Sequence, residues 1–280
     1  MSQPGASAPP ERVTPALPDG SQAPPALPEP SALPAPPPLP VAPVDLPPTA
    51  WSLITALRRA DPTDDFVALG ADLEPATLID AYRIGLFPMP VDEVDELAWW
   101  SPVRRGVLHP ADLHTSRSLR RALPTFTVTA DRAFAQVVAG CAEPSRPGAW
   151  ITAEVATAYR RLHELGWAHS IEVWAGGRLV GGLYGVAVGG LFAGESMFHT
   201  QTDASKAALV GLVDVISATP APQLIDVQWR TDHLATLGIT EVPRPEYLQQ
   251  LVSLTRSPGA DWARWRQHAW TPGSPDQPAH

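Results

Sequence analysis

At 280 residues and 44% hydrophobic content, the chain can bury a substantial core, in one large domain or two modest ones. A net charge of −9 argues, on average, against a nucleic-acid binder, although an average conceals local patches. The single cysteine, Cys141, excludes an internal disulfide framework and a cysteine-based zinc site, and it suits a reducing cytosol. No apolar run is long and glycine-free enough to span a bilayer.

Half of the 34 prolines fall in the first fifty residues, with no aromatic residue before Trp51. Such a segment buries too little apolar surface to offset its ordering entropy. Residues 1–48 are therefore expected to be a disordered, partly polyproline II tail. The tail lacks the basic start and apolar core of a secretion signal. A small α/β N-terminal domain is predicted over 49–110, with a helix from about Glu74 that stops at Gly85. The adjacent Trp99 and Trp100 on an extended segment point to opposite faces, so at least one belongs to the core.

Between 101 and 121 stand Arg104, Arg105, Arg117, Arg120 and Arg121, with Asp112 as the only acid. The last three have helical spacing behind a Thr115 or Ser116 cap. They are either a solvated helix face or a phosphate-binding patch, since arginine presents a rigid fork of donors suited to phosphate oxygens.

A strand over 125–130, a helix around 131–140 and a helix capped by Thr152 and ended by Gly166 follow. Three strands joined by Gly-Gly turns then form an antiparallel meander. Its final hairpin, Gly181 to Phe198, ends near Glu195, which is either a satisfied strand-end acid or the floor of an active site. A helix over 203–218 with Asp203 as N-cap, a strand at 224–229 and two more helices complete the pattern. The fold class is α+β, with an order over 111–272 like that of GNAT-type acyltransferases, and residues 273–280 are expected to be a flexible C-terminus.

The segments LGADL, AYRIGLFP, WWSP, SRSLRR, WIT, AYRRLHELGWAHSIEVW, LVGGLYGVA, GESMF with the following DASK, LIDVQ and HLATLG occur in this order over roughly 66–250. Together they resemble the leucyl/phenylalanyl-tRNA–protein transferase family. The resemblance implies a cytoplasmic enzyme that moves Leu, Phe or sometimes Met from aminoacyl-tRNA onto proteins beginning with Arg or Lys, which marks them for N-degron proteolysis. It implies neither a metal nor acyl-CoA. The junction SMFHTQTDASKAAL, which lacks the glycine-rich turn of a pyrophosphate cradle, agrees with the second point. Nothing in the sequence demands more than a monomer.

By the same resemblance Gln228, polarised by Asp226, is the proton relay, and Glu195 helps hold the incoming cationic N-terminus. Residues two apart on a strand share a side, so Asp226 and Gln228 can address one site. The aminoacyl pocket maps to Leu183, Phe192, Leu209, Leu212 and Ile225, any of which could equally be plain core. Trp150 is placed against the terminal adenosine of the tRNA, with Tyr159 and Tyr82 as weaker members of that wall. On the phosphate-patch reading of the arginine cluster, Arg117, Arg120 and Arg121 contact the tRNA backbone. Three positions depart from the family pattern: Met89 replaces the usual second adenosine-facing Trp, His199 a Ser, and Asp203 an Asn. His199, in a polar loop past the strand, is not read as catalytic. Two other readings compete. One is a peptidoglycan-type aminoacyl-tRNA-dependent transferase, against which the lack of an internal repeat speaks. The other is a non-catalytic RNA-binding module, which leaves Asp226 and Gln228 without purpose.

Overall fold

A computed structural model of the chain describes residues 33–91, 94, 96–145 and 150–274. The N-terminal unit comprises α1 (Leu53–Arg59), β1 (Phe66–Leu69), α2 (Pro75–Arg83), β2 (Phe87–Pro88) and β3 (Ala98–Trp100). Its three strands form an antiparallel sheet in the order β1-β3-β2. Helix α2 starts where Pro75 presets the helical φ, buries Leu78, Ile79, Ala81 and Tyr82, and stops at Gly85 with φ +81°. A Cβ at Gly85 would lie 2.5 Å from Leu248 and 3.2 Å from Tyr247, so glycine is also what lets the two units close on each other.

The larger unit begins with β4 (Arg104–Leu108), earlier than the boundary at 110 expected from sequence. It continues through α3 (Arg117–Ala122), β5 (Thr127–Ala130), α4 (Phe134–Cys141), α5 (Ala153–Glu164), β6 (Ala168–Ala175), β7 (Arg178–Val188) and β8 (Leu191–His199). After these come α6 (Ala204–Ser217), β9 (Leu224–Gln228), α7 (Asp232–Ala235), β10 (Thr240–Pro243), α8 (Arg244–Leu254), α9 (Trp262–Arg266) and β11 (Ala269–Trp270). The eight strands run in the order β10-β4-β9-β8-β7-β6-β5-β11, antiparallel except for β8 beside β9. Strand β4 pairs with β9 and β10, which is why it belongs here and not to the N-terminal sheet.

The meander follows from its turns: Gly176 and Gly177 both have positive φ, which L side chains avoid and tight hairpins require. Alternation along β7 then splits the core. Leu183 joins α6 on one face, while Tyr184 and Val186 join α2, α4 and α5 on the other. Ser116 and Thr152 cap α3 and α5 through their hydroxyls. Asp203 does not cap α6. Its backbone is left-handed, with φ +68°, and its carboxylate turns to Lys206 at 2.7 Å instead.

The proline-rich segment also departs from expectation. Residues 33–48 carry no helix or strand, yet they strap across the larger unit. Val44 N–H donates to the Leu165 carbonyl at 2.9 Å, Trp167 Nε1 donates to the Val44 carbonyl at 2.9 Å, and Arg266 Nη1 donates to that of Leu39 at 3.3 Å. Leu33 is buried against Ala133 and Trp174, and Leu46 packs on the second core cluster. Proline's restricted chain lowers the entropy lost on docking, so a few hydrogen bonds and two leucines suffice. Residues 1–32 of the expected tail and 275–280 of the expected C-terminus lie outside the described residues. Deleting residues 1–48 is expected to cost about 2–3 kcal/mol and to lower Tm by several degrees. An unchanged melting curve would show that the strap adds nothing.

Candidate active site

Strands β7, β8 and β9 and helix α6 enclose a cavity of about 250 Å³. Leu183, Phe192, Leu209, Leu212 and Ile225 all line it, so the structure brings together the five apolar residues singled out in the sequence. Register explains the convergence. Phe192 lies beside Ile225 across the parallel pair, Leu183 faces Met197 across the hairpin, and Leu209 and Leu212 are one turn apart on α6. Whole-ligand pockets usually measure about 300–1,000 Å³, so this one suits a single side chain. Larger hollows of about 480 and 580 Å³ lie against the strap and the N-terminal unit, but of these three it is the smaller cavity that joins apolar walls to Glu195 and Gln228.

Glu195 stands at the cavity's polar edge, half-buried. Its Oε2 accepts a hydrogen bond from the Tyr159 hydroxyl at 2.8 Å, which in turn lies 2.5 Å from the Tyr82 hydroxyl. Because Tyr159 spends its proton on Glu195, Tyr82 must donate to Tyr159. Burial raises the Glu195 carboxyl to about 7, against the opposing hydrogen bonds of the tyrosines and with help from the charge of Asp226. Both tyrosine hydroxyls are pushed well above their ordinary range, first by burial and then by the Glu195 charge.

Asp226 is fully buried and saturated with donors. Its Oδ1 accepts from Arg105 Nε at 2.8 Å and from the Gln228 N–H at 2.9 Å. Its Oδ2 accepts from Arg105 Nη2 at 2.5 Å and from the Tyr247 hydroxyl at 2.7 Å. Burial works against the Arg105 charge, but Asp226, Tyr247 and Glu195 outweigh it and raise the guanidinium pKa. Arg105 therefore leaves the surface patch to which the sequence assigned it. The strand alternation that separates exposed Arg104 from buried Arg105 is legible in the sequence, since neighbours on a strand face opposite ways.

Gln228 corrects a second expectation. Its φ of +58° takes it out of strand geometry, so the same-side rule does not govern it. The backbone N–H, not the side-chain amide, meets Asp226, while Nε2 reaches Glu195 Oε1 at 3.4 Å. The register shifts here against β4, where a Cβ at Gly106 would lie 2.8 Å from the Arg230 nitrogen. Sequence reasoning misses Arg105 and Tyr247 as partners because each meets Asp226 only through the fold.

The residues expected at the tRNA end are divided. Trp150 and Met89 are half-buried on the second core cluster. Tyr82 and Tyr159 are fully buried, so their rings are closed to base stacking, and their hydroxyls serve Glu195 instead. Trp99 is core, with Nε1 on the Gly70 carbonyl, and Trp100 packs edge-on against Phe66 and Trp229. Arg117, Arg120 and Arg121 are exposed on α3 and form no ion pair among the described residues. His199 is exposed, its Nδ1 3.2 Å from the Ser205 hydroxyl. No group of three or more His, Cys, Asp or Glu side chains able to hold a metal occurs among the described residues, and no described helix is long and apolar enough to cross a membrane.

A side-chain-sized apolar cavity with Glu195 and Gln228 at its rim is the candidate site, and comparison with known proteins gives the class of the chain, a transferase. Residues 107–252 match the leucyl/phenylalanyl-tRNA protein transferase family, and residues 71–103 match the N-terminal domain of the same family. The chain is 51% identical over 192 residues to the leucyl/phenylalanyl-tRNA–protein transferase of Tolumonas auensis, covering 67% of this chain and 81% of that one. It is 47% identical over 216 residues to that of Anaeromyxobacter dehalogenans, covering 75% and 91%, and 48% identical over 215 residues to that of Stutzerimonas stutzeri, covering 75% and 93%. The chain belongs to the leucyl/phenylalanyl-tRNA–protein transferase family and is an aminoacyl-tRNA-dependent aminoacyltransferase.

Proposed function

We propose that this enzyme, a cytoplasmic monomer with a GNAT-like second domain, moves Leu or Phe, and Met less well, from tRNA to the N-terminal Arg or Lys of acceptor proteins, marking them for N-degron proteolysis. The observation that carries this reading is the cavity itself: five apolar walls sized for one side chain, opening on Glu195. Leu and Phe share an unbranched Cβ, so a smooth pocket admits both and rejects β-branched side chains by shape. Trp150 and Met89 receive the terminal adenosine.

In the transfer, the acceptor's α-amine attacks the ester carbonyl. A C–N bond forms, the ester C–O bond breaks, and the departing 3′-hydroxyl needs the proton the amine has lost. The reaction is downhill, and holding the two reactants together supplies most of the rate. Asp226, locked by four donors, acts as a fixed charge. Glu195, with a pKa of about 7, takes the proton from the amine and returns it to the leaving oxygen. Gln228 orients the amine through the amide that reaches Glu195. The relay expected to end on Asp226 is thus reassigned to Glu195.

The test supplies charged Leu- or Phe-tRNA with a peptide beginning in Arg and looks for a peptide longer by one residue. The same peptide acetylated at its N-terminus should stay unchanged. Absence of product with the native protein would overturn the reading. For the exposed arginines, replacing Arg117, Arg120 and Arg121 together by Ala is expected to weaken tRNA binding and to flatten its dependence on log salt by about one unit for each phosphate no longer neutralised. An unchanged salt slope would make them an ordinary solvated face.

A further inference from the structure

We infer that Tyr247 and Arg105 are positioning residues of the transfer reaction, fixing through Asp226 the left-handed backbone that aims Gln228 at Glu195; this rests on the function proposed above. Left-handed φ is costly for a residue with a side chain, and such a residue persists only where its surroundings over-determine it. At Gln228 what holds it is the Asp226 carboxylate, which captures the Gln228 N–H at 2.9 Å. Asp226 can do this only if its own position is fixed.

That position is set from two distant parts of the chain. Arg105, on β4, grips both carboxylate oxygens, and its Nη1 reaches back to the Gly85 carbonyl at 3.1 Å, so it also ties in the N-terminal unit. Tyr247, on α8, donates its hydroxyl to Oδ2 and lays its ring against the guanidinium, whose central carbon is 4.6 Å from the ring centroid. Phe87, on β2, covers the same guanidinium at 4.9 Å. None of these groups lines the cavity. Tyr247 and Phe87 reach the reacting atoms only through Arg105, Asp226 and the backbone of Gln228, whereas the Arg105 charge also acts on Glu195 across space, which is why its test keeps the charge.

A double-mutant cycle separates positioning from plain stabilisation. Tyr247→Phe keeps the ring over Arg105 and removes one hydrogen bond to a buried carboxylate. It is expected to lower kcat about ten-fold, with KM for the acceptor peptide and tRNA affinity changed by less than about two-fold. In a Gln228→Ala background the same substitution should change kcat by less than about two-fold, because the group it positions is gone. Arg105→Lys, which keeps the charge and loses the fork, should lower kcat further with the same KM behaviour. Melting curves for every variant verify that the fold is retained.

An equal loss from Tyr247→Phe in both backgrounds would overturn the inference and leave the transfer reaction standing, as would native kcat in Tyr247→Phe. Native activity in Gln228→Ala would overturn it too, by removing the step it serves. A native enzyme that extends no peptide would instead bring down the proposed function, and this inference with it.

Discussion

Asp226→Ala is expected to cost about 3–5 kcal/mol of stability and to abolish measurable transfer. The size comes from what is left behind rather than from what is removed. Arg105 is 1% exposed and directs two of its nitrogens at this carboxylate, so truncating Asp226 strands a buried positive charge with no other ion pair among the described residues. The Tyr247 hydroxyl and the Gln228 N–H lose their acceptor at the same time, each a further desolvated donor. Denaturant unfolding checks the energy. A loss below about 1 kcal/mol would mean that Arg105 finds water or another partner, and that Asp226 is not the fixed centre described.

Glu195→Gln is expected to reduce kcat by about 10²–10³-fold while leaving tRNA affinity intact, because the amide keeps the shape of the carboxylate and loses its ability to take a proton. The pH profile carries the sharper signature. In the native enzyme the rate should rise as Glu195 ionises through about 7. In the variant that limb should vanish, leaving only the rise set by the acceptor amine, near 8. Stability moves in the opposite sense. The folded pKa of Glu195 lies above its ordinary value, so the folded state holds the proton more tightly than the unfolded chain. Its contribution is fully present below the unfolded pKa and is lost as pH rises through about 7, and buried Glu172, also raised to about 7, adds to the same loss. Glu195→Gln should therefore be more stable than the native enzyme at pH 8. A variant with native kcat and an unchanged pH profile would remove Glu195 from the proton transfer.

Local rules make much of this molecule legible in its sequence. Gly-Gly turns announce the meander, hydroxyl caps at Ser116 and Thr152 announce two helices, and period-two alternation places Leu183 and Tyr184 on opposite faces of one strand. The family resemblance contributes the identity of the five apolar residues that meet in the cavity. What stays hidden depends on partners far away in sequence. Arg105 and Asp226 are 121 residues apart, and although alternation separates Arg104 from Arg105, no period or spacing names Asp226 as the partner. Gln228 and Asp203 adopt left-handed backbones that only their surroundings impose, and both defeat rules that assume regular strand or cap geometry. The proline-rich strap defeats a compositional rule, because residues 33–48 dock on a surface supplied by the rest of the chain.

In the proposed mechanism the cavity between β7, β8, β9 and α6 holds the amino acid being transferred. A crystal structure with phenylalanine linked to adenosine by an amide, which cannot be cleaved in the transfer, tests it most directly. The phenyl ring should lie against Leu183 and Phe192, with Glu195 and Gln228 beside the carbonyl carbon and the adenine next to Trp150. A ring lodged instead in the hollow beneath the strap or beside the N-terminal unit, with this cavity empty, would remove the cavity from the aminoacyl site.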